Sequence, residues 1–103
     1  MDKKIIKIAK LYAEKVKIKY PVKMVILYGS HVRGTAHDLS DIDIAVVMDQ
    51  ITGDYLNISA DLFNLVRGIS NRIEPVLLSL ANDKSGFLES VLKQGKVVYK
   101  SVN

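Results

Sequence analysis

Cysteine and tryptophan are both missing from the 103 residues of this chain. The absence of cysteine excludes disulfide bonds and thiolate metal sites, and it is typical of a cytoplasmic protein. No apolar run approaches the roughly 18 uncharged residues that a membrane-spanning helix needs. The N-terminal segment also lacks the apolar core of a secretion signal. We therefore expect a cytoplasmic protein that has no membrane partner.

Proline is scarce, at two residues, and the chain contains neither internal repeats nor low-complexity runs. Hydrophobic residues make up 49% of the composition, which is enough for one modest core at this length. The sequence therefore predicts one domain that covers residues 1–103.

Acidic residues are few in the first 23 positions, where eight lysines are accompanied only by Asp2 and Glu14. This segment carries a charge of +6, so with a net charge of +4 the remaining residues total −2. A basic helix could contact RNA or an acidic protein, but nucleic-acid sites usually add arginine and aromatic contacts. We interpret the lysines as a solvated helix face and do not expect direct nucleic-acid binding.

Hydrophobic periodicity predicts an alternation of helices and strands along the chain. The predicted helices cover residues 3–19, 55–70 and 84–94, and the predicted strands cover 22–28, 41–47, 73–78 and 96–100. The twelve-residue loop between the first two strands is too short for a helical crossover. The order α-β-β-α-β-α-β therefore predicts an α+β (α/β) fold, with a mixed sheet of about four strands flanked by helices. Pro75 predicts an edge position or a strand start, because proline cannot donate to a ladder.

A Gly-Ser turn follows the first predicted strand. Gly29 permits an unusual backbone conformation and a close approach by a ligand. Successive N–H groups in such a turn bind anions, especially where a short helix begins, as we expect near residues 31–34. Ser30 and Arg33 add donors that suit phosphate oxygens. We predict a phosphate-binding set of Gly29, Ser30, Arg33 and Ser40, although a serine in the position of Ser40 more often orients the following strand.

Two acidic residues open the second predicted strand. Side chains alternate along a strand, so Asp41 and Asp43 share one face while Ile42, Ile44 and Val46 share the other. Two carboxylates held close together repel each other unless a cation lies between them. Such a pair, with substrate phosphate and water completing the shell, is the ligand set that Mg²⁺ prefers.

The combination of these two features is specific. Gly-Ser, ten residues and then Asp-x-Asp resembles the signature of the DNA polymerase β-like nucleotidyltransferase superfamily. The fuller pattern Gly-Ser-x-x-Arg-Gly followed by Ser-Asp-x-Asp is similar to its minimal nucleotidyltransferase (MNT) branch. The resemblance implies a nucleotidyltransferase core, a nucleoside triphosphate substrate and two Mg²⁺ ions.

Nucleotidyl transfer with two metal ions usually needs a third carboxylate. We predict that Glu74 supplies it, because Glu74 begins an apolar strand that could lie beside the Asp41–Val47 strand. The family resemblance implies a third acid on such a strand. The remaining candidates fall in predicted turns or on helix surfaces: Asp49, Asp54, Asp61, Asp83 and Glu89. His31 and His37 are weaker candidates for contacts with phosphate or base, because a lone loop histidine is usually exposed.

The resemblance extends to the MNT antitoxins of HEPN/MNT toxin–antitoxin pairs. It implies transfer of AMP from ATP to a tyrosine of a HEPN-type RNase, or neutralisation of that partner by binding. Larger relatives carry an additional acceptor domain, for which we see no room here, so we expect a homo- or hetero-oligomer. Two other functions stay open, a non-catalytic subunit that binds the HEPN partner and a stand-alone enzyme that modifies a small-molecule alcohol.

Overall fold

The computed structural model describes residues 2–102, which form four helices and four strands within that range. The helices are α1 (Lys3–Lys19), α2 (Ser30–Arg33), α3 (Tyr55–Asn64) and α4 (Phe87–Gln94), and the strands are β1 (Val22–Tyr28), β2 (Ile42–Met48), β3 (Ile73–Ser79) and β4 (Lys96–Lys100). The predicted order of elements is confirmed, and the short helix expected near residues 31–34 is α2. The second strand begins one residue later than predicted, so Asp41 precedes it.

Helix α1 has the predicted bounds, and both of its ends have local causes. The Asp2 carboxylate accepts a hydrogen bond from the N–H of Lys4 at 2.8 Å, which satisfies one of the free donors of the first turn. Tyr20 ends the helix in an extended conformation, as the following Pro21 requires. No helix within residues 2–102 combines the length and the apolar character needed to cross a bilayer.

The four strands form one sheet in the order β3-β2-β1-β4. Strand β1 is antiparallel to both β2 and β4, whereas β2 and β3 are parallel and joined through α3. The prediction of a mixed sheet of about four strands is thus confirmed. Pro75 lies in β3, which is an edge strand, as the sequence predicted.

The core lies on both faces of the sheet. On one face, α1 and α3 cover alternate strand residues such as Val25, Leu27 and Ile44. On the other face, Leu88 and Val91 of α4 pack on a smaller group that includes Ile26, Ala45 and Val47. Ile42, Ile44 and Val46 all belong to the first face, so the face on which Asp43 lies is the one that α4 partly covers.

Helix α3 ends at Asn64, and the prediction that it continues to about residue 70 is wrong. The N–H groups of Val66 and Arg67 bond to carbonyls three residues back, which tightens the chain into turns. Gly68 then takes a φ of +80°, in the left-handed region that favours glycine. The apolar periodicity of residues 65–69 reflects packing of these turns on the core.

Helix α4 begins at Phe87, and the predicted start at Lys84 is also wrong. Gly86 precedes the helix with a φ of +75°, so the chain turns there. The Asp83 carboxylate accepts hydrogen bonds from the N–H groups of Leu88 (2.9 Å) and Glu89 (3.0 Å). Asp83 therefore acts as a cap from outside the helix.

The end of α3 depends on a buried hydroxyl from α1. Tyr12 is fully buried, and its hydroxyl donates to the carbonyl of Leu62 at 2.7 Å. That carbonyl is among the last four of α3, which lack helical partners. We expect Tyr12→Phe to lower the free energy of unfolding by about 1–3 kcal/mol, because a buried carbonyl loses its partner. Urea denaturation measures this, and Tyr99→Phe is the control.

The control removes a hydroxyl that makes no hydrogen bond to residues 2–102. A loss of stability in Tyr99→Phe equal to that in Tyr12→Phe would contradict the assigned role of the Tyr12–Leu62 bond.

Candidate active site

The turn after β1 has the geometry expected of an anion-binding turn. Gly29 has a φ of +81° and immediately precedes α2, and its carbonyl accepts hydrogen bonds from the N–H groups of Val32 (3.1 Å) and Arg33 (3.0 Å). The N–H groups of Ser30 and His31 stand in the first turn, where no helical carbonyl can reach them. The turn therefore presents backbone donors at the end of the strand.

Gly29 also lies against the Asp43 carboxylate. A Cβ atom added at Gly29 would overlap Oδ2 of Asp43 and would lie 3.0 Å from its Cγ. The contact arises because Asp43 in β2 is the register partner of Tyr28, the last residue of β1. Both the positive φ and this close approach require glycine at position 29. The turn and Asp43 therefore form one site.

Glu74 lies in the same row of the sheet. In the parallel ladder Glu74 is the register partner of Asp43, and adjacent strands are about 4.8 Å apart, so both side chains emerge on one face. Tyr28 completes the row. Burial and the charges of Asp43 and Glu74 raise the pKa of Tyr28 to about 12. The geometric expectation that the Glu74 strand borders β2 is confirmed, and the Glu74 side chain is exposed there.

The Asp43 carboxyl is held in an unfavourable electrostatic environment. Burial raises its pKa, the negative charge of Asp41 raises it further, and the positive charges of Arg33 and His31 lower it. A carboxylate destabilised in this way by burial and by a second carboxylate is one that a divalent cation would stabilise. The hard oxygen donors of this pair fit Mg²⁺ rather than a soft metal.

The ligand set available within the chain is small. Among residues 2–102, no group of three or more histidine, cysteine, aspartate and glutamate residues is arranged to hold a metal ion. Asp41 lies close enough to Asp43 to raise its pKa, and Mg²⁺ commonly uses one or two carboxylates with substrate phosphates and water. A role for Glu74 as third ligand stays a prediction.

Ser40 lies at the end of the loop, held by contacts that the sequence did not reveal. Its hydroxyl accepts a hydrogen bond from the N–H of His37 at 2.9 Å. Its carbonyl accepts two from the Arg72 guanidinium, through Nε at 3.1 Å and Nη2 at 2.8 Å. These bonds fix the chain immediately before Asp41. Arg72 stands between two predicted elements, and no motif marks it, so only the folded structure identifies this contact.

A cavity of about 250 Å³ lies beside Asp43. Tyr28, Gly29, Arg33 and Asp43 form one side, and α4 forms the other with Phe87, Ser90, Val91 and Gln94. The sequence analysis predicts none of Tyr28, Phe87, Ser90 and Gln94 as a site residue. The spacing 87, 90, 91 and 94 was the available signal, because it places these residues on one helix face.

Three larger cavities lie outside this site, and the one of about 340 Å³ is lined entirely by residues of α1. One of about 510 Å³ lies behind α2 and is lined by His31, His37 and Arg72, among others. The Nε2 atom of His31 is buried and has no hydrogen-bond partner in residues 2–102. Another of about 690 Å³ lies near Tyr55 and Leu77, toward the far ends of β2 and β3. The smallest of these four cavities is the chemical candidate, because it alone among them is lined by Asp43.

Comparison with known proteins gives a consistent result. Residues 3–102 match the family model described as polymerase beta, nucleotidyltransferase. A Sulfolobus solfataricus structure, provisionally described as a nucleotidyltransferase, is similar at 26% identity with a TM-score of 0.70, over 93% of this chain and 80% of that one. None of the curated proteins compared with the chain matches it.

Two further solved structures come from toxin–antitoxin systems. One, a toxin–antitoxin with AMP-PNP, is similar at 25% identity with a TM-score of 0.65, over 92% of this chain and 74% of the other. The second is a mutant of the toxin–antitoxin MntA–HpeT, with 24% identity, a TM-score of 0.62, and coverage of 95% of this chain and 74% of that one. At that identity the second likeness concerns the fold alone.

Proposed function

The chain belongs to the polymerase β nucleotidyltransferase family, and on that premise we propose that it transfers AMP from ATP to a hydroxyl group in a Mg²⁺-dependent reaction. One observation carries the proposal. The Asp43 carboxylate lies against the Gly29 turn, so a metal ligand and a phosphate-binding turn meet at one point. A ligand with both a triphosphate and a bound cation matches this arrangement.

The turn and α2 would bind the leaving group. Backbone N–H groups after Gly29, the Ser30 hydroxyl and the Arg33 guanidinium suit the β- and γ-phosphate oxygens. Arg33 is exposed, lines the cavity and lies close enough to Asp43 to affect its pKa. These groups would hold the triphosphate in line for displacement, which is the main contribution that proteins make to phosphoryl transfer.

The acids would bind the metal ions and receive the proton. Asp41 and Asp43 would hold one Mg²⁺, and both with Glu74 would hold a second. Bound at these residues, the ions would supply neutralisation of charge on the phosphates and would favour ionisation of the attacking hydroxyl. The hydroxyl oxygen bonds to the α-phosphorus, the bond to the bridging oxygen of the β-phosphate breaks, and pyrophosphate leaves. Glu74, exposed in the same row, would accept the hydroxyl proton.

We propose a tyrosine of a HEPN-type RNase toxin as the acceptor, which would make this protein its antitoxin. The support is the similarity to a toxin–antitoxin structure with AMP-PNP at 25% identity. The open cavity beside Asp43 adds to it, since a macromolecular acceptor must reach the α-phosphate from outside.

The test is incubation of the protein with α-labelled ATP, Mg²⁺ and an extract of its source organism. We expect a labelled protein band that requires Mg²⁺ and that mass spectrometry identifies as an adenylylated partner. Asp43→Ala should give no band. Asp49→Ala is the matched control, because this substitution removes the same charge. Asp49 lies beyond the other end of β2, where its exposed side chain forms an ion pair with Lys23 at 3.3 Å.

Each other outcome identifies a different function. Label in a small molecule instead of a protein would indicate an enzyme that modifies a metabolite. An absence of label with every nucleotide would leave a subunit that neutralises its partner by binding. Labelling that persists in Asp43→Ala would contradict the assignment of the site.

A further inference from the structure

The cavity beside Asp43 has two chemically different sides. One side carries the Gly29 turn, the Arg33 guanidinium and Asp43 itself. The other is formed by Phe87, Ser90, Val91 and Gln94, which we name the α4 wall, and contains no charged side chain. A nucleoside triphosphate has the matching polarity, with a charged tail and an uncharged planar base.

The α4 wall is not suited to phosphate. The charged residues of α4, Glu89 and Lys93, pair with each other at 3.3 Å and are both largely exposed, outside the cavity. At the start of the helix, the N–H groups of Leu88 and Glu89 are already bonded to the Asp83 carboxylate. That carboxylate occupies the position where an anion would otherwise bind, and its negative charge repels one.

Phe87 offers a stacking surface. Its side chain is 40% exposed, although it is a large aromatic residue. Its ring meets the Tyr28 ring edge-to-face, with centroids 5.7 Å apart and an interplanar angle of 83°. This contact orients the ring and leaves part of its surface open to the cavity. Aromatic side chains in such positions commonly stack with nucleobases.

Gln94 provides hydrogen-bonding groups on the same wall. Its side-chain amide has one acceptor oxygen and donor hydrogens, and it makes no hydrogen bond to residues 2–102. The following Gly95 holds this turn close to β1, since a Cβ atom there would lie 2.5 Å from Cγ2 of Ile26 and 3.0 Å from the carbonyl oxygen of Leu27. Gln94 is thus an unpaired amide on a firmly seated helix end.

On the basis of the proposed function, we infer that the α4 wall recognises the base of the nucleotide and selects adenine. The base stacks on Phe87. The Gln94 amide oxygen accepts a hydrogen bond from the N6 amino group of adenine, and the amide nitrogen donates one to the ring nitrogen N7. Guanine presents two acceptors along the corresponding edge, which would leave the Gln94 oxygen without a donor.

The experiment measures equilibrium binding of Mg·ATP, Mg·GTP and inorganic tripolyphosphate to the full chain by calorimetry. We expect Phe87→Ala to weaken ATP binding roughly 10- to 100-fold, as loss of a stacking contact does. Gln94→Ala should reduce the preference for ATP over GTP about tenfold or more. Both variants should bind tripolyphosphate as the wild type does. Glu89→Gln, on the outer face of α4, should change none of the three affinities.

Other results overturn the inference and can be told apart. Equal losses for ATP and tripolyphosphate would mean that the α4 wall binds phosphates, which leaves the proposed function intact. Unchanged ATP binding and selectivity in Gln94→Ala, an exposed position where folding is not at risk, would also reject it. If the wild type binds no nucleotide at all, the proposed function fails together with the inference.

Discussion

Asparagine in place of Asp43 is expected to abolish nucleotidyl transfer and to make the folded protein more stable at neutral pH. The loss of activity should be on the order of 10³-fold or more, because the variant removes the proposed metal ligand and charge stabilisation at the reacting phosphorus. The shape of the side chain is retained, so the contact with Gly29 is preserved. Opposite effects on activity and stability distinguish a functional acid from a structural one.

The gain in stability follows from the pKa of Asp43, which burial and the charge of Asp41 raise above its ordinary value. A group whose pKa is raised by folding stabilises the folded state only when protonated, so stability falls as pH rises from about 3.9 through the folded pKa. Above that window the wild type carries the full penalty and Asp43→Asn does not. We expect a gain below about 1 kcal/mol at pH 7, because partial exposure screens the repulsion.

Thermal unfolding at several pH values, with and without Mg²⁺, measures this effect. The difference in stability between Asp43→Asn and the wild type should shrink toward zero as the pH falls to the ordinary pKa of an aspartate. Mg²⁺ should stabilise the wild type more than the variant, since only the wild type retains the carboxylate pair. Asp49→Asn provides the control for general removal of charge. A variant that is destabilised at pH 7 would contradict the electrostatic account of the site.

Alanine in place of Gly29 is expected to lower activity by about 100-fold or more. The added Cβ would overlap Oδ2 of Asp43, so the carboxylate must move away from its position beside the turn. Misplacement of a reacting group by about 1 Å can cost two orders of magnitude in rate. The φ of +81° together with a ψ of −150° adds a backbone penalty of about 1–3 kcal/mol in stability.

Gly34→Ala is the control for a substitution at a positive φ without the contact with Asp43. Gly34 has a φ of +79°, ends the same short helix, and has no atom within 4 Å of the position where a Cβ would stand. Gly29→Ala should lose at least as much stability as Gly34→Ala in denaturation experiments, because alanine fits the ψ of −150° at Gly29 less well than the left-handed helical conformation of Gly34. Only Gly29→Ala should lose transfer activity. Equal losses of activity would mean that backbone conformation, and not the contact with Asp43, governs this position.

The sequence predicts most of the fold because its signals are local. Apolar periodicity locates α1 and β1 at their observed bounds, and the short loop after β1 excludes a crossover between β1 and β2. The errors occur where turn geometry overrides periodicity, at Gly68 after α3 and Gly86 before α4. Apolar residues continue in helical spacing after α3, whereas residues 84–86 before α4 are polar or glycine. At both places the backbone takes a left-handed conformation that periodicity does not reveal.

The sequence likewise predicts some features of the candidate site and not others. Gly29 and Asp43 are predictable as a motif because their spacing is fixed within one strand–loop–strand unit. The contact between them, and the alignment of Glu74 with Asp43, depend on strand register, which the sequence does not state. Arg72 and Gln94 belong to no motif and reach the site only through tertiary packing. Their contributions therefore required the structure.

The edges of the sheet influence which assemblies this protein can form. One edge is β3, in which Pro75 lacks a backbone N–H, and the other is β4, five residues long with a lysine at each end. Proline, lysine and short length at an edge all discourage another strand from joining the ladder. Lateral sheet extension, the route to fibrous aggregates, is therefore disfavoured. We therefore expect a partner to bind the helices. Variants of the helix surfaces that disrupt association would not disturb the hydrogen bonds between the strands.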